Sequence, residues 1–323
     1  MVPKLWVGVI LTNPGHIELS TPVQAEIDLT GKSNGRLGEA SAELRKGFKW
    51  LGLMGGGSYV RQGDLQAPRY NLSNTGKEET SYYGGFRLHP FAELDVDGYY
   101  SHFSQDLGIL LGSSFGNLED VERAFNADEP FFTTDFTYEI GQPRQETAHD
   151  LYKVTANYVT NQQSFKVQYG FQKNQRKEFG LRRGDAPNID LVLATHSLDA
   201  NWLHPTIGNI TGRLGAQWQK QANDNLPGTN TVPFIPNYDS QRYGVYLIES
   251  LENGADTYEM GIRYDNFTAD ITGREPDNTI VMKAGNKVIF PTVDFHDIKR
   301  PSVISSSPGQ KIHDYLIPKF ENL

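Results

Sequence analysis

The 323-residue chain contains no cysteine, which excludes disulfides, thiolate metal sites and cysteine catalysis. It also has no apolar run of about 18 residues, and its mean hydropathy is -0.52, so a helical membrane protein is excluded. Methionine is scarce, at four residues, whereas there are 32 glycines, 16 tyrosines and 17 phenylalanines. These proportions favour β-structure rich in turns and aromatic residues.

Positive charge is in short supply. The chain has 30 lysines and arginines against 39 acidic residues, which gives a net charge of -9. Phosphate binding needs clustered cations, so this balance argues against nucleic acid as a partner. The eight histidines are scattered, and His102, His149 and His196 have no companions at ligand spacing. We therefore expect neither a metal centre nor a cofactor.

What the chain does have is a regular alternation of apolar and polar residues. Ten or eleven segments show this period of two, which is typical of strands with two different faces. In the clearest segment, residues 92–101, Leu94, Val96 and Tyr100 share one face. A slip of one residue would move three carboxylates to the apolar side, so the register of this strand is firmly set.

The connections between these segments alternate between short and long. We predict short turns at residues 89–90, 160–163, 204–209 and 251–255, and long loops at 62–78, 105–147, 173–190 and 221–240. On the long-loop side, only the connection at residues 32–37 is short. Transmembrane β-barrels have this order, with short periplasmic turns and long outward loops.

The longest predicted loop, residues 105–147, is long for a structureless connection, which indicates a functional or partly structured segment. Asn117 is predicted to cap a short helix within it, with Leu118, Val121 and Phe125 on one stripe.

Alternation alone does not distinguish a lipid-facing surface from a soluble core, so a soluble β-sandwich is the alternative. The predicted spans run about nine to eleven residues, as a tilted membrane strand requires, whereas soluble strands average about five or six. Aromatic pairs also lie near both ends of several spans, as in membrane-interface girdles: Tyr152 and Tyr158, Phe165 and Phe171, and Tyr258 and Tyr264. We therefore predict an all-β fold, an antiparallel up-and-down transmembrane β-barrel with about 11 strands present.

Two patterns associated with catalysis lie in the long loop. Residues 112–116 match the G-x-S-x-G pattern around Ser114, but a nucleophile elbow needs a strand-to-helix turn of a parallel sheet. Glu119, Asp120 and Glu122 could supply paired carboxylates, yet near a helix N-terminus they are more typical of a solvated face. We predict that the protein is not an enzyme.

One cationic cluster has a possible functional role: Arg176, Lys177, Arg182 and Arg183 fall in a single predicted loop of an acidic protein. Guanidinium groups would suit an anionic ligand through bidentate contacts. Binding of lipopolysaccharide phosphates, or plain solvation, is the alternative.

The two ends of the chain depart from the pattern. Residues 5–11 are apolar but lack a cleavage site, so we predict a buried strand and not a signal peptide, and expect the chain to be a fragment. After Ile271 the alternation stops, and residues 287–290 are the one possible strand in the remainder. We expect a truncation or a change of reading frame near Gly273.

Several phrases of the sequence are similar to one known family. They are VILTNP at 9–14, KSNGR at 32–36, QGDLQAP at 62–68, LSNTG at 72–76, YSHF at 100–103, GNL at 116–118, PRQE at 143–146, YGFQ at 169–172 and GIRYD at 261–265. Together they resemble a TonB-dependent outer-membrane receptor, most of all the iron-complex receptors of Bacteroidetes-type bacteria. The resemblance covers about residues 5–272.

The resemblance implies a division into three parts: the last plug strand and a linker (1–20), roughly half of a 22-stranded barrel (21–272), and a divergent tail (273–323). It implies uptake of a scarce nutrient across the outer membrane, such as a ferric siderophore or another iron complex. The implied partners are this chelate, outer-membrane lipid and lipopolysaccharide, and the inner-membrane TonB complex through the missing N-terminal part.

The resemblance also implies that aromatic and cationic residues of the outward loops bind the ligand. The candidates are Phe131, Phe132, Arg176, Arg182 and Arg183. The alternative function is a soluble or surface-attached β-rich module that binds glycans.

Overall fold

The computed structural model describes residues 17–113, 116–130, 132–181, 184–229, 231–254 and 256–272, and the backbone of 292–298. The strands predicted at residues 5–11 and 287–290 lie outside these ranges.

The described chain forms one large antiparallel sheet and a small hairpin. In chain order the elements are β1 (Gln24–Lys32), β2 (Leu37–Gly47), β3 (Leu51–Gln62), β4 (Leu65–Gln66), β5 (Asn71–Leu72), β6 (Lys77–Phe91), β7 (Leu94–Gly108), helix α1 (Leu118–Asn126), β8 (Arg144–Val159), β9 (Ser164–Phe179), β10 (Ile189–Leu203), β11 (Ile210–Asn225), β12 (Asn237–Asn253), β13 (Asp256–Thr272) and β14 (Thr292–Ile298). Strands β4 and β5 pair only with each other, and all other strands pair with their neighbours along the chain.

This up-and-down meander confirms the predicted fold class. Eleven strands of the large sheet end at or before Thr272, as predicted, and β14 adds a twelfth. Because β14 pairs with β13, the sheet continues into the segment that the sequence predicts to be divergent. In the part of the chain that the structure describes, the sheet is open, with β1 and β14 at its two ends.

Strands β6 to β13 are longer than the predicted nine to eleven residues, whereas β1 and β2, with 9 and 11, are not. Strand β8 has 16 residues and β13 has 17. The extra residues lie mostly at the long-loop end, where the side chains are polar on both faces. Backbone pairing continues there without an apolar face, and a search for alternation does not detect it.

One short turn lies slightly further along the chain than predicted. The turn expected at residues 89–90 falls at 92–93, and Pro90 belongs to β6. The register between β6 and β7 shifts between Leu88 and Phe91, so the ladder is irregular where Pro90 has no N–H to donate. The turns at 160–163 and 204–209 lie where they were predicted.

The outward face of the sheet, which carries Val154, Val167 and Leu198, is apolar and exposed. Two rows of aromatic rings border it. Near the long loops, ring centroids are 4.6 Å apart for Tyr100 and Tyr152 and 6.0 Å apart for Tyr152 and Phe171. The rows confirm that the predicted aromatic pairs face outward.

Near the short turns, Phe165 stacks on Trp202 at 5.7 Å, and Tyr158 lies opposite Phe165 in the register. The apolar face is therefore bounded by aromatic rings at both ends, as in the barrels that span outer membranes.

The inward face is polar and carries ion pairs between residues two apart on the same strand. Arg263 pairs with Asp265 at 2.6 Å and also donates to the Gln217 side chain at 2.8 Å. The Tyr83 hydroxyl donates to Glu43, which also pairs with Arg45. These contacts run across several strands and leave the inner wall hydrophilic.

Residues 17–21 lie against the short-turn end of the inward face. The Ser20 amide donates to the Phe48 carbonyl at 2.9 Å, and Ile17 is only 7% exposed. Gly52 makes room for Ile17, because a Cβ at Gly52 would collide with that side chain.

No helix in the described part of the chain has the length and apolar character needed to cross a membrane.

Candidate functional site at the long-loop end

In the described part of the chain, four long loops leave the sheet at the same end, opposite the short turns. They are residues 63–76, 109–143, 180–188 and 226–236. The first two, here the β3–β6 loop and the β7–β8 loop, lie against each other and form a single structured unit. The site predicted from the sequence is at this end.

The Asn74 side chain joins the two loops through hydrogen bonds. Its side-chain nitrogen donates to the carbonyl oxygens of Ile109, at 2.8 Å, and Pro143, at 2.7 Å, and its side-chain oxygen accepts from the Gly141 amide at 2.8 Å. The residue is 7% exposed and has a φ of 63°, a conformation that asparagine adopts more readily than most residues. One side chain thereby fixes both ends of the β7–β8 loop to the β3–β6 loop.

Asp64 and Ser73 add further hydrogen bonds between the two loops. Asp64 is fully buried, and its carboxylate accepts hydrogen bonds from the amides of Thr75, at 3.0 Å, and Thr137, at 3.4 Å. The Ser73 hydroxyl donates to the Phe132 carbonyl at 3.3 Å and accepts from the Thr134 hydroxyl. Buried polar groups require such partners, so the two loops depend on each other for their shape.

Glycine allows the loops to come this close at two places. A Cβ on Gly63 would collide with the Phe136 ring and the Thr137 carbonyl oxygen, and a Cβ on Gly108 would collide with the Asn74 carbonyl. In the same region the Arg36 guanidinium lies 3.9 Å from the centre of the Phe136 ring. The short β1–β2 connection thus also contacts the β7–β8 loop.

Helix α1 lies in the β7–β8 loop, as predicted. The Asn117 side chain accepts from the Asp120 amide at 2.9 Å, which confirms the predicted N-cap. Asp120 also accepts from the Gly116 amide and pairs with Arg123, so its carboxylate stabilises the helix start. The apolar stripe points into solvent, with Leu118 74% and Phe125 86% exposed.

The structure describes two of the five predicted ligand-binding residues. Phe132 lies in the β7–β8 loop with its side chain exposed. Arg176 lies in strand β9, not in a loop as predicted, because the polar ladder continues beyond the apolar alternation. Phe131, Arg182, Arg183 and also Ser114 lie outside the described residues.

The predicted cationic cluster is divided between two faces. Arg176 lies opposite Thr147 on the inward face, and alternation places Lys177 on the outward face. Arg176 pairs with Glu178 and donates to the Gln145 side chain at 3.2 Å, so its charge is already balanced. Of the described cations in this cluster, only Arg176 faces the interior.

On β10 to β12, the inward wall near the long loops offers neutral hydrogen-bonding groups. Tyr238 donates to Gln221 at 2.8 Å, and Gln221 in turn donates to the Thr195 hydroxyl at 3.0 Å. Asn223 is 2% exposed and donates to the Pro236 carbonyl. Within the described ranges, no group of three His, Asp or Glu side chains has the geometry to hold a metal ion.

The structural roles of Asp64, Ser73 and Asn74 were not predicted from the sequence. Two of the phrases that carry the family resemblance, residues 62–68 and 72–76, contain all three. No local pattern marks them, since their partners are up to 73 residues away in the chain.

No protein-family model matches the chain, and no curated protein matches it. Solved structures do match. The ferric-catecholate import receptor Fiu from Escherichia coli K12 is 12% identical with a TM-score of 0.56, over 85% of this chain and 46% of that chain. The siderophore receptor PiuA from Acinetobacter baumannii is 11% identical with a TM-score of 0.59, over 87% of this chain and 47% of that chain.

The alcaligin outer-membrane receptor FauA from Bordetella pertussis is 10% identical with a TM-score of 0.57, over 86% of this chain and 40% of that chain. The chain therefore spans less than half the length of these receptors. At this identity the likeness concerns the fold. The resemblance to TonB-dependent receptors is confirmed at that level: the chain has the fold of part of the barrel wall of a siderophore receptor.

Proposed function

We propose that this chain forms part of the barrel wall of a TonB-dependent outer-membrane receptor that takes up a ferric siderophore or another iron complex. The observation that carries the proposal is the polarity of the sheet. An apolar outward face lies between two aromatic rows, a hydrophilic face lies behind it, and long structured loops leave one end only. This combination suits a wall between lipid and a polar lumen.

In this proposal the long-loop end faces the medium and receives the ligand. The joined β3–β6 and β7–β8 loops supply a fixed rim, and Phe131, Phe132, Arg176, Arg182 and Arg183 are the ligand-binding residues. Arg182 and Arg183 supply positive charge for an anionic chelate, and Phe131 and Phe132 supply apolar contact. The neutral amide side chains that line the inward wall of β10 to β12 near the long loops favour weak contacts, from which a solute dissociates readily.

The remaining partners follow from the same proposal. Outer-membrane lipid contacts the apolar outward face. Lipopolysaccharide contacts the polar outward residues between the long loops and the aromatic row nearest to them. The TonB complex acts through a plug, and no covalent chemistry is required of this chain. Iron is here the cargo of the chelate.

A matched pair of variants tests the membrane assignment. Val167 lies outward in the middle of β9, and Gln168 is its inward neighbour. We expect the chain to float with phospholipid vesicles, Val167→Arg to destabilise the inserted state by about 2–4 kcal/mol, and Gln168→Arg to have little effect. A chain that stays folded in the aqueous fraction without detergent would contradict the proposal and favour the glycan-binding alternative.

Ligand binding is tested with a ferric tris-catecholate, an anionic iron complex, by quenching of tryptophan fluorescence. We expect the Arg182→Gln/Arg183→Gln double variant to bind about tenfold more weakly or worse, since a charged hydrogen bond contributes about 1.5–3 kcal/mol. Lys166→Gln is the control, because Lys166 faces inward at the opposite end of β9. Equal affinity of the double variant and the wild type would disprove the assignment of these arginines.

A further inference from the structure

A second candidate site lies on the outward face at the short-turn end. The turn 204–209 lies beside the ends of strands β10 to β13, and a cavity of about 880 Å³ opens there. Its walls are mostly apolar and include Trp202, Ile207, Leu214, Leu247 and Met260. Cavities of about 300–1,000 Å³ are typical of small-molecule sites.

The cavity also contains a histidine–glutamate pair. The His204 imidazole Nε2 lies 3.1 Å from a Glu249 carboxylate oxygen, and its Nδ1 bonds the Pro205 carbonyl at 2.7 Å. The side chains of His204 and Glu249 are 11% and 28% exposed. Ionisable side chains are rare on a lipid-facing surface, so the presence of this pair there requires an explanation.

Gly212 creates the space for this pair. It is a buried residue directly opposite Glu249 in the register, and a Cβ there would collide with both the Glu249 carboxylate and His204 Nε2. Any side chain at position 212 would therefore displace the pair. The glycine, the turn and the histidine–glutamate pair together make a built polar end for an otherwise apolar cavity.

We propose that this cavity binds one zwitterionic glycerophospholipid from the leaflet at the short-turn end. The lipid's ammonium group contacts the Glu249 carboxylate, which His204 holds in place, and an acyl chain lies along Leu214, Leu247 and Met260. The positive charge of the ammonium group is complementary to the carboxylate of Glu249, whose side chain is 28% exposed, and the apolar walls are complementary to the acyl chain. The inference rests on the proposed membrane position, but not on which solute is transported.

The experiment uses the full chain, floated with vesicles, extracted in detergent and examined by native mass spectrometry. The probes are phosphatidylethanolamine and phosphatidylglycerol with identical acyl chains. We expect one phosphatidylethanolamine to remain bound, with about a tenfold preference over phosphatidylglycerol. A chain that does not float fails both this inference and the proposed function, whereas one that floats but shows no preference fails this inference alone.

Two variants separate the apolar and polar parts of the site. Leu214→Trp fills the cavity and should abolish lipid retention, whereas Val167→Trp, on the same face but outside the cavity, should retain it. Gly212→Ala displaces the pair and should abolish the preference between the two lipids. Unchanged retention by Leu214→Trp, or an unchanged preference in Gly212→Ala, would overturn the proposal.

Discussion

The two ends of the sheet connect antiparallel strands in different ways. At the short-turn end the connections are held by local backbone contacts, such as the reciprocal bonds between Ile207 and Ile210 at 2.9 and 3.0 Å. At the long-loop end the contacts are distant in sequence, and Asn74 bonds Pro143, which lies 69 residues away. Short turns close through bonds within their own sequence, with a few added contacts such as the His204–Glu249 pair, whereas the long loops are held mainly by each other.

The difference has an energetic reason. Ordering a long loop costs conformational entropy for each residue fixed, about 1–2 kcal/mol for the backbone alone. The β7–β8 loop offsets part of this cost with buried polar bonds to Asp64, Ser73 and Asn74. The long-loop end is therefore a shaped surface, which suits recognition, but its shape depends on a few side chains.

Replacement of Asn74 should have the largest effect on this comparison. Asn74→Ala removes three hydrogen bonds, each contributing about 0.5–1.5 kcal/mol, and of the three groups it leaves, the Pro143 carbonyl keeps the Ile109 amide as a partner at 2.9 Å. We expect faster hydrogen exchange at the Gly141 and Ile109 amides and proteolysis within the β7–β8 loop, with the strands unaffected. Asn209→Ala, in the short turn 204–209, is the control.

Asn74→Gly separates the two roles of this residue. Glycine accepts the φ of 63° but makes none of the side-chain bonds. We therefore expect Asn74→Gly to open the loops slightly less than Asn74→Ala does. If the loops stay protected from hydrogen exchange and proteolysis in both variants, the contact between them does not depend on Asn74.

A smaller effect is expected from Gly108, where the two loops come closest. A Cβ there would lie 2.5 Å from the Asn74 carbonyl oxygen, so Gly108→Ala must push backbone apart and should cost about 1–3 kcal/mol. Gly38→Ala, at the same end of β2, is the matched control, since a Cβ at Gly38 meets no atom within 4 Å. Urea denaturation of both variants measures the difference, and equal midpoints would contradict a close contact at Gly108.

The comparison also explains which parts of the fold could be predicted from the sequence. The alternation, from Leu94 onward, and the turns at 160–163 and 204–209 depend on neighbouring residues, and the structure confirms them. Helix α1 was predicted for the same reason, from the cap at Asn117. The turn at 89–90 was misplaced because Pro90, a typical turn residue, lies at an irregular point of the β6–β7 ladder.

The candidate site was less accessible to such reasoning. Arg176 was assigned to a loop because alternation ends before the strand does, and only the register shows that it faces inward while Lys177 faces outward. Asp64 and Asn74 look like ordinary loop residues, and their importance comes from partners that only the fold brings near. Charge and composition indicate which residues are candidates, but not which of them share a surface.

The smallest expected effect is a pH dependence at the short-turn end. The Pro205 carbonyl and then the Glu249 carboxylate raise the pKa of His204 above its usual value of 6.5. Because the folded state holds this proton more tightly, the stabilisation is complete below about pH 6.5 and is lost as the pH rises through the folded-state pKa. The thermal midpoint should therefore fall over this window in the wild type, fall less in Glu249→Gln, and lose this contribution in His204→Gln. Identical slopes in the wild type and His204→Gln would show that this turn, unlike the long-loop end, is held by its backbone alone.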